Sequence, residues 1–289
     1  LPSLTTLTLS DRLINESTKL VYMCTALQTV NVPASVETIN DYAFSCYISL
    51  SDNKTYLVTV NIEDVDKPIY EGETTGKVSK LKTLKTNAFN YNTLLKNINL
   101  PDSVTTIERF ALSNNNAIER LSLPENLNLT AGNEFSNMTA LLSVEFRGIK
   151  VKTITGNAFS NDAKLQTVVL PPSLTTIKAN AFNNCVSLKS VLIDVYPEGH
   201  AKAGKSDLNN LDKNSFKGCT ALETLGLKQY ATDENPQNVL PDGFKTLSDQ
   251  ALTGLASLKS IVLPASINKI GKSAFDGSGI EKIEFKTYT

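Results

Sequence analysis

The chain of 289 residues has no tryptophan, one histidine, two methionines and four cysteines. Each scarcity excludes something. The lone imidazole, His200, leaves no Ser/His/Asp or Cys/His arrangement to assemble. No Cys/His set at zinc spacing exists either. Lys plus Arg (28) against Asp plus Glu (29) gives a net charge of −1. No basic surplus is available to collect phosphates, which argues against nucleic acid as a partner. No apolar run approaches the length of a membrane span. Cys24, Cys46, Cys185 and Cys219 read as free thiols filling a buried position, because a chain of this size does not need disulfides for its core. A bridge between Cys185 and Cys219, in neighbouring units, is geometrically conceivable.

What the chain has instead is one phrase repeated about every 23 residues. A clear copy is Leu165-Gln-Thr-Val168-Val-Leu170-Pro171, then Leu174 and Ile177, then Ala181-Phe182 and Cys185. Others begin at Leu27 and Leu258. A fixed period of this kind means stacked units, none able to bury its apolar face alone.

Eleven such phrases begin at Leu4, Leu27, Leu57, Leu95, Ile118, Leu141, Leu165, Leu188, Leu222, Leu258 and Ile280. The first, fourth and sixth positions are apolar, and the last two alternate with exposed ones, the period of a strand. Pro33, Pro101, Pro124, Pro171 and Pro264 close several strands, where a missing N–H costs least. Ala-Phe in the second half predicts a short extended segment with one helical turn. Phe44, Phe89, Phe135, Phe159, Phe182, Phe216 and Phe275, with Leu112 and Leu252 as substitutes, predict a stacked core spine. Rungs ~4.8 Å apart would span roughly 50 Å. The expected fold is one solenoid over residues 1–289, rich in β, with short helical turns and a parallel sheet on one face.

The phrase L-x-x-V-x-L-P-x-S-V-x-x-I-x-x-x-A-F-x-x-C, matched position for position over residues 165–185, resembles the BspA-like leucine-rich repeat family. The resemblance covers essentially the whole chain and is silent at its insertions. It departs at Glu134-Phe135 and Ser215-Phe216, and at Arg147, Asp194 and Lys228 where proline would stand. It implies a right-handed leucine-rich-repeat superhelix of the α/β class. It also implies export, display at a bacterial surface and adhesion to host proteins or other cells. The chain opens on Leu1-Pro-Ser-Leu4-Thr-Thr-Leu7, already repeat sequence, so a signal or anchor is expected outside this stretch.

Three units are stretched after the strand, at about 63–80, 194–207 and 228–243, and a shorter insertion, 51–56, precedes the third strand. Insertions at one repeat position emerge on one edge, where binding loops commonly lie. The second contains Gly199-His-Ala-Lys-Ala-Gly204-Lys205-Ser206, which satisfies a phosphate-loop formula. That chemistry needs a helix starting at the Lys-Ser end, and Leu208, Leu211 and Phe216 continue the ordinary repeat instead. Asp64, Asp66, Glu71 and Glu73 fit no calcium loop and read as a solvated acidic cluster. No cofactor, metal or catalytic residue is expected.

The outward strand positions are more informative. Two residues after the leader the chain is mostly hydroxylated, as at Thr29, Thr59, Thr167 and Ser190. Four residues after it the column runs Thr8, Asn31, Asn61, Asn99, Ser122 and Glu145, then Val169, Leu192, Gly226, Val262 and Glu284. This predicts an apolar strip of Val169, Leu192 and Val262 in the C-terminal half, flanked by Tyr196 and Tyr230 from two insertions. Exposed contiguous apolar surface marks an interaction site, unless the insertions fold over it. The expected function is non-catalytic binding of a protein at a host or bacterial cell surface. Recognition of a surface glycan is the alternative, and a nucleotide-binding enzyme a remote one.

Overall fold

The computed structural model describes residues 3–10, 20–21, 26–46, 57–64, 78–231 and 237–287. All eleven phrases form strands, each opening two residues after its apolar leader, from Thr6–Thr8 through Thr167–Leu170 to Lys282–Phe285. Neighbouring strands pair in parallel in the register of the repeat, as where Val168 lies opposite Val191 and Val191 opposite Leu225, with breaks before Arg120–Leu123 and before Ser260–Leu263. Alternation decides their faces. In Thr167–Leu170, Val168 and Leu170 are buried while Thr167 and Val169 remain partly exposed.

A second row of parallel strands, two residues each, runs along the solenoid. It includes Thr153–Ile154, Thr176–Ile177, Asn210–Leu211, Thr246–Leu247 and Lys269–Ile270, hydrogen-bonded in that order. Ile154, Ile177, Leu211 and Leu247 are fully buried, whereas Ile270, at the end of the row, is exposed. The core lies between the two rows and is one continuous cluster along the chain.

The Phe spine runs through this core. Phe159, Phe182 and Phe216 stack with centroids 5.3 Å apart at each step and interplanar angles of 8° and 3°. Phe44 stacks on Phe89 at 5.2 Å, and Phe135 on Phe159 at 5.1 Å. Leu112 is buried between the two groups, and Phe275 is only partly buried.

The helical turn expected around Ala-Phe is a different structure. A left-handed residue stands two positions before the Phe column and another two after it. In one rung these are Asn180 (φ 58°) and Asn184 (φ 61°); in the next, Asn214 (57°) and Gly218 (81°). Asn and Gly tolerate this region best, which is why they recur there. The reversal carries short turns, with Asn183 N–H donating to Asn180 O at 3.0 Å. Inter-rung bonds add to it, such as Phe182 N–H to Ser215 O at 2.8 Å. Among the described residues the one helix is a single 3-10 turn, Lys228–Tyr230.

The departures from the repeat have local causes. Glu134, fully buried where Ala usually stands, accepts the N–H groups of Ala131 and Gly132 at 3.1 and 2.9 Å and the Thr155 hydroxyl at 2.6 Å. Arg147, where proline would stand, reaches back two rungs to Asp102 Oδ1 at 2.9 Å and to Leu100 O at 2.5 Å. Asp102 is held below the ordinary carboxylate range by the Glu125 N–H and by Arg147, against its partial desolvation. Cys46, Cys185 and Cys219 are free. Cys24 lies outside the described residues, as do Asp66, Glu71, Glu73 and the insertion 51–56. Asp64 accepts the Ser79 N–H at 3.1 Å.

Candidate binding face

The expected strip is present in part. Val169 and Leu192 are directly opposite on adjacent strands, partly exposed and outside the core cluster. Leu192 is opposite Gly226 on the next strand. There the row changes character. Residues 238–240, late in the third insertion, return into the sheet between Thr224–Leu227 and Ser260–Leu263. Leu227 N–H donates to Val239 O at 2.8 Å, Val262 N–H to Asn238 O at 2.8 Å, and Leu240 N–H to Val262 O at 3.1 Å. Val239 lies so close over Gly226 that a Cβ there would sit 2.6 Å from Val239 N.

Val262 is therefore not on a strand beside Leu192. Strand Thr224–Leu227 and residues 238–240 both stand between them, and Val262 packs against the edge of the core. The expected single patch is corrected to an adjacent pair, Val169 and Leu192, with Val262 set apart. The returning segment also supplies what Lys228 does not. Leu240 is fully buried at the column that ends each strand, and Pro241 closes it.

Tyr196 is also not an exposed anchor. It is 5% exposed, stacked on His200 with centroids 4.1 Å apart, and its hydroxyl donates to Asp207 Oδ2 at 2.8 Å. Lys202 Nζ donates to Asp207 Oδ1 at 2.8 Å, and Lys152 lies 3.7 Å from Oδ2. Partial burial pushes the Asp207 carboxyl up, but bonds from Lys202 and Tyr196 and the nearby lysine charges outweigh it and hold it low. Sequence reasoning missed this brace, although Tyr196, Lys202 and Asp207 all lie in the one insertion. Tyr230 does stand outward at 38% exposure, with Lys286 Nζ 5.9 Å from its ring centre.

The phosphate-loop look-alike is closed on itself. Gly204 N–H donates to Tyr196 O at 2.9 Å, Tyr196 N–H to Lys205 O at 2.8 Å and Lys205 N–H to Lys202 O at 3.0 Å. These amides face the loop's own carbonyls, and strand Asn210–Leu211, not a helix, follows Ser206. An open cleft of 480 Å³ lies beside this insertion, between Ile149 and Pro172 on one side and Val195 to Glu198 on the other. Among the described residues no three His, Cys, Asp or Glu side chains are placed to hold a metal ion. Among them no helix is long and apolar enough to cross a membrane.

Known proteins agree with this architecture. The BspA type leucine rich repeat region, in six copies, matches residues 1–68, 77–195 and 230–289. A leucine-rich repeat protein from Bacteroides ovatus superposes with a TM-score of 0.54 at 17% identity, over 98% of this chain and 92% of that one. One from Eubacterium ventriosum gives 0.52 at 20% identity, over 99% and 67%. No curated protein sequence matches. Stacked parallel rungs, the Phe spine and the repeat match over most of its length together show that this chain belongs to the BspA-type leucine-rich repeat family.

Proposed function

We propose that the chain is a non-catalytic scaffold, displayed at or beyond a bacterial cell surface, that binds a protein of a host or a neighbouring cell. The observation that carries this reading is the Val169–Leu192 pair. It is apolar on a face that is otherwise mostly Thr, Ser, Asn and charged residues, and the core does not need it. The braced second insertion starts directly after the strand that carries Leu192, and the third brings out Tyr230 nearby. A fixed wall beside an apolar floor lowers the ordering cost of binding. Aromatic residues at such margins carry a disproportionate share of affinity, of order 2 kcal/mol when desolvated.

The test is a screen of the purified protein against extracellular-matrix proteins and a glycan array. Leu192→Asp should weaken a captured protein about tenfold or more, the cost of an uncompensated charge at an interface. The melting temperature should barely move, since Leu192 lies outside the core. A captured protein indifferent to that substitution would remove this face from the proposal. Capture of glycans alone would favour the second reading, which has its own observation. In the N-terminal half, Asn61 Nδ2 donates to Asn31 Oδ1 at 2.8 Å, and Asn31 Nδ2 to Thr8 Oγ1 at 3.0 Å. This ladder fixes amides in a row, as hydroxyl recognition requires.

A further inference from the structure

In most rungs two successive N–H groups at the start of the strand bond to one carbonyl of the rung before; the start of Arg120–Leu123, where the sheet also breaks, is an exception. Lys189 and Ser190 donate to Gln166 O at 2.9 and 3.2 Å, Glu223 and Thr224 to Lys189 O at 2.9 and 3.0 Å, and Glu281 and Lys282 to Lys259 O at 2.8 and 3.3 Å. The corresponding donors of the tenth strand are Lys259 and Ser260, and their acceptor would be Glu223 O. Among the described residues neither N–H has a partner.

The returning segment 238–240 explains the gap. It holds Thr224–Leu227 and Ser260–Leu263 apart but enters too late to fill the space between their leading ends. Asn238 extends the segment with its side chain. Its Oδ1 accepts the Leu225 N–H at 2.8 Å, and its Nδ2 donates to Glu223 O at 3.2 Å and to Ser260 O at 2.9 Å. Beyond the amide, a cleft of 470 Å³ opens to solvent, lined by Glu223, Asn238, Ala256, Ser257, Lys259 and Ser260. Ser257 Oγ donates to Thr220 O at 2.9 Å and closes its far end. The slot is about three extended residues long, roughly 10 Å.

We propose that this slot is a binding site for an extended peptide segment of a partner protein, which completes the half-filled rung by bringing a backbone carbonyl to the Lys259 and Ser260 N–H groups. The ligand class follows from the lining. Two convergent donors require an oxygen acceptor. Glu223 is one of the lining residues, and the Lys259 ammonium is already paired with Glu281 at 3.5 Å, so a phosphate or carboxylate drawn to Lys259 would meet the like charge of Glu281. A neutral peptide carbonyl meets none. Open strand edges recruit extended peptides by main-chain hydrogen bonds, and here flanking strands on both sides restrict the entry to a single chain. This site rests on the scaffold reading and gives it a contact independent of Val169 and Leu192.

The repeat supplies a clean control. Removing residues 228–240 joins Leu227 to Pro241 and brings Leu258 to 23 positions after Leu222, the period of the regular unit. That variant should close the slot and pair the two strands directly. The probe is a phage-displayed library of random linear peptides, panned on the intact protein. Amide exchange at Lys259 and Ser260 is then followed by NMR with and without an enriched peptide. Both amides should exchange rapidly in the free protein and slow about tenfold or more on binding, the protection expected of a formed hydrogen bond. The shortened variant, if its melt shows a folded protein, should protect both amides without peptide and lose at least about tenfold in affinity. Enriched peptides that leave the two amides unprotected would overturn the slot and leave the scaffold reading standing. Failure to capture any peptide or any protein would overturn both.

Discussion

Asp162 offers a sharp test of how this core is built. It stands three residues after Phe159, fully buried, in the column that carries Asn92, Cys185 and Cys219 in other rungs. In that column each side chain donates to the carbonyl of the preceding spine residue. Asn92 Nδ2 reaches Phe44 O at 3.0 Å, Cys185 Sγ reaches Phe159 O at 3.0 Å and Cys219 Sγ reaches Phe182 O at 3.0 Å. Asp162 Oδ1 accepts the Met138 N–H at 2.8 Å, while Oδ2 has no partner as an acceptor. A proton on Oδ2 would make it a donor, as the Asn and Cys side chains of this column are. Burial, the largest cause, and the neighbouring Cys185 push the Asp162 carboxyl well above its ordinary value, against the Met138 N–H. The folded state therefore keeps a proton that the unfolded state has lost. Stability falls as pH rises from about 4, by about 1.4 kcal/mol per pH unit, until the folded pKa is reached. Asp162→Asn keeps the acceptor and replaces the hydroxyl with an N–H donor, and it cannot ionise. Its advantage over the parent should widen as pH rises through the range from about 4.5 upward, with a limiting slope of about 1.4 kcal/mol per unit. Urea unfolding of both proteins across pH measures this directly. Parallel profiles, or an Asn variant weaker than the parent throughout, would refute the protonated donor.

Other expectations follow from the same packing. Phe182→Ala removes a ring stacked on both faces and should cost about 3–5 kcal/mol in a urea melt; a melt matching the parent would show that the spine is not what holds the rungs. Gly226→Ala places a Cβ against the Val239 backbone and should destabilise by about 1–3 kcal/mol, whereas Gly199→Ala, with open space around its Cβ, should show only the smaller cost of its positive φ. Lys205→Ala should leave the melt unchanged, and calorimetry of the parent with ATP should show no saturable binding, because the loop amides are already paired within the chain. Heat from ATP that disappears in that variant would restore the nucleotide reading.

The inward columns were legible because stacking makes each position answer to its neighbours above and below. Val168 must fit beside Val191, and Phe182 beside Phe216, so the same residue types recur and the eleven strands can be counted. The left-handed pairs are written there too, as Asn180 and Asn184 or Asn157 and Asn161, but polarity alone does not distinguish a left-handed Asn from a helical-turn one. The split rung also left a trace: Leu240-Pro241 precedes Leu263-Pro264 by 23 residues, so the closing phrase of that rung is displaced and not missing. Asp162 was illegible for the opposite reason. Its column accepts Asn, Met, Cys and Leu, and only its full burial reveals that its carboxyl is held protonated. Outside the Asn61–Asn31–Thr8 ladder, the outward face is under weaker control from its neighbours. Thr, Asn, Val and Leu all satisfy the same backbone, so Val169 and Leu192 are free to be chosen by a partner. The insertions are freer still, and each found its own solution. Residues 194–207 close around Tyr196 and Asp207, and residues 238–240 re-enter the sheet. Recognition in such a molecule is therefore to be sought where the repeat is silent or broken, and the unfilled half-rung beside Lys259 is where the break leaves backbone donors waiting.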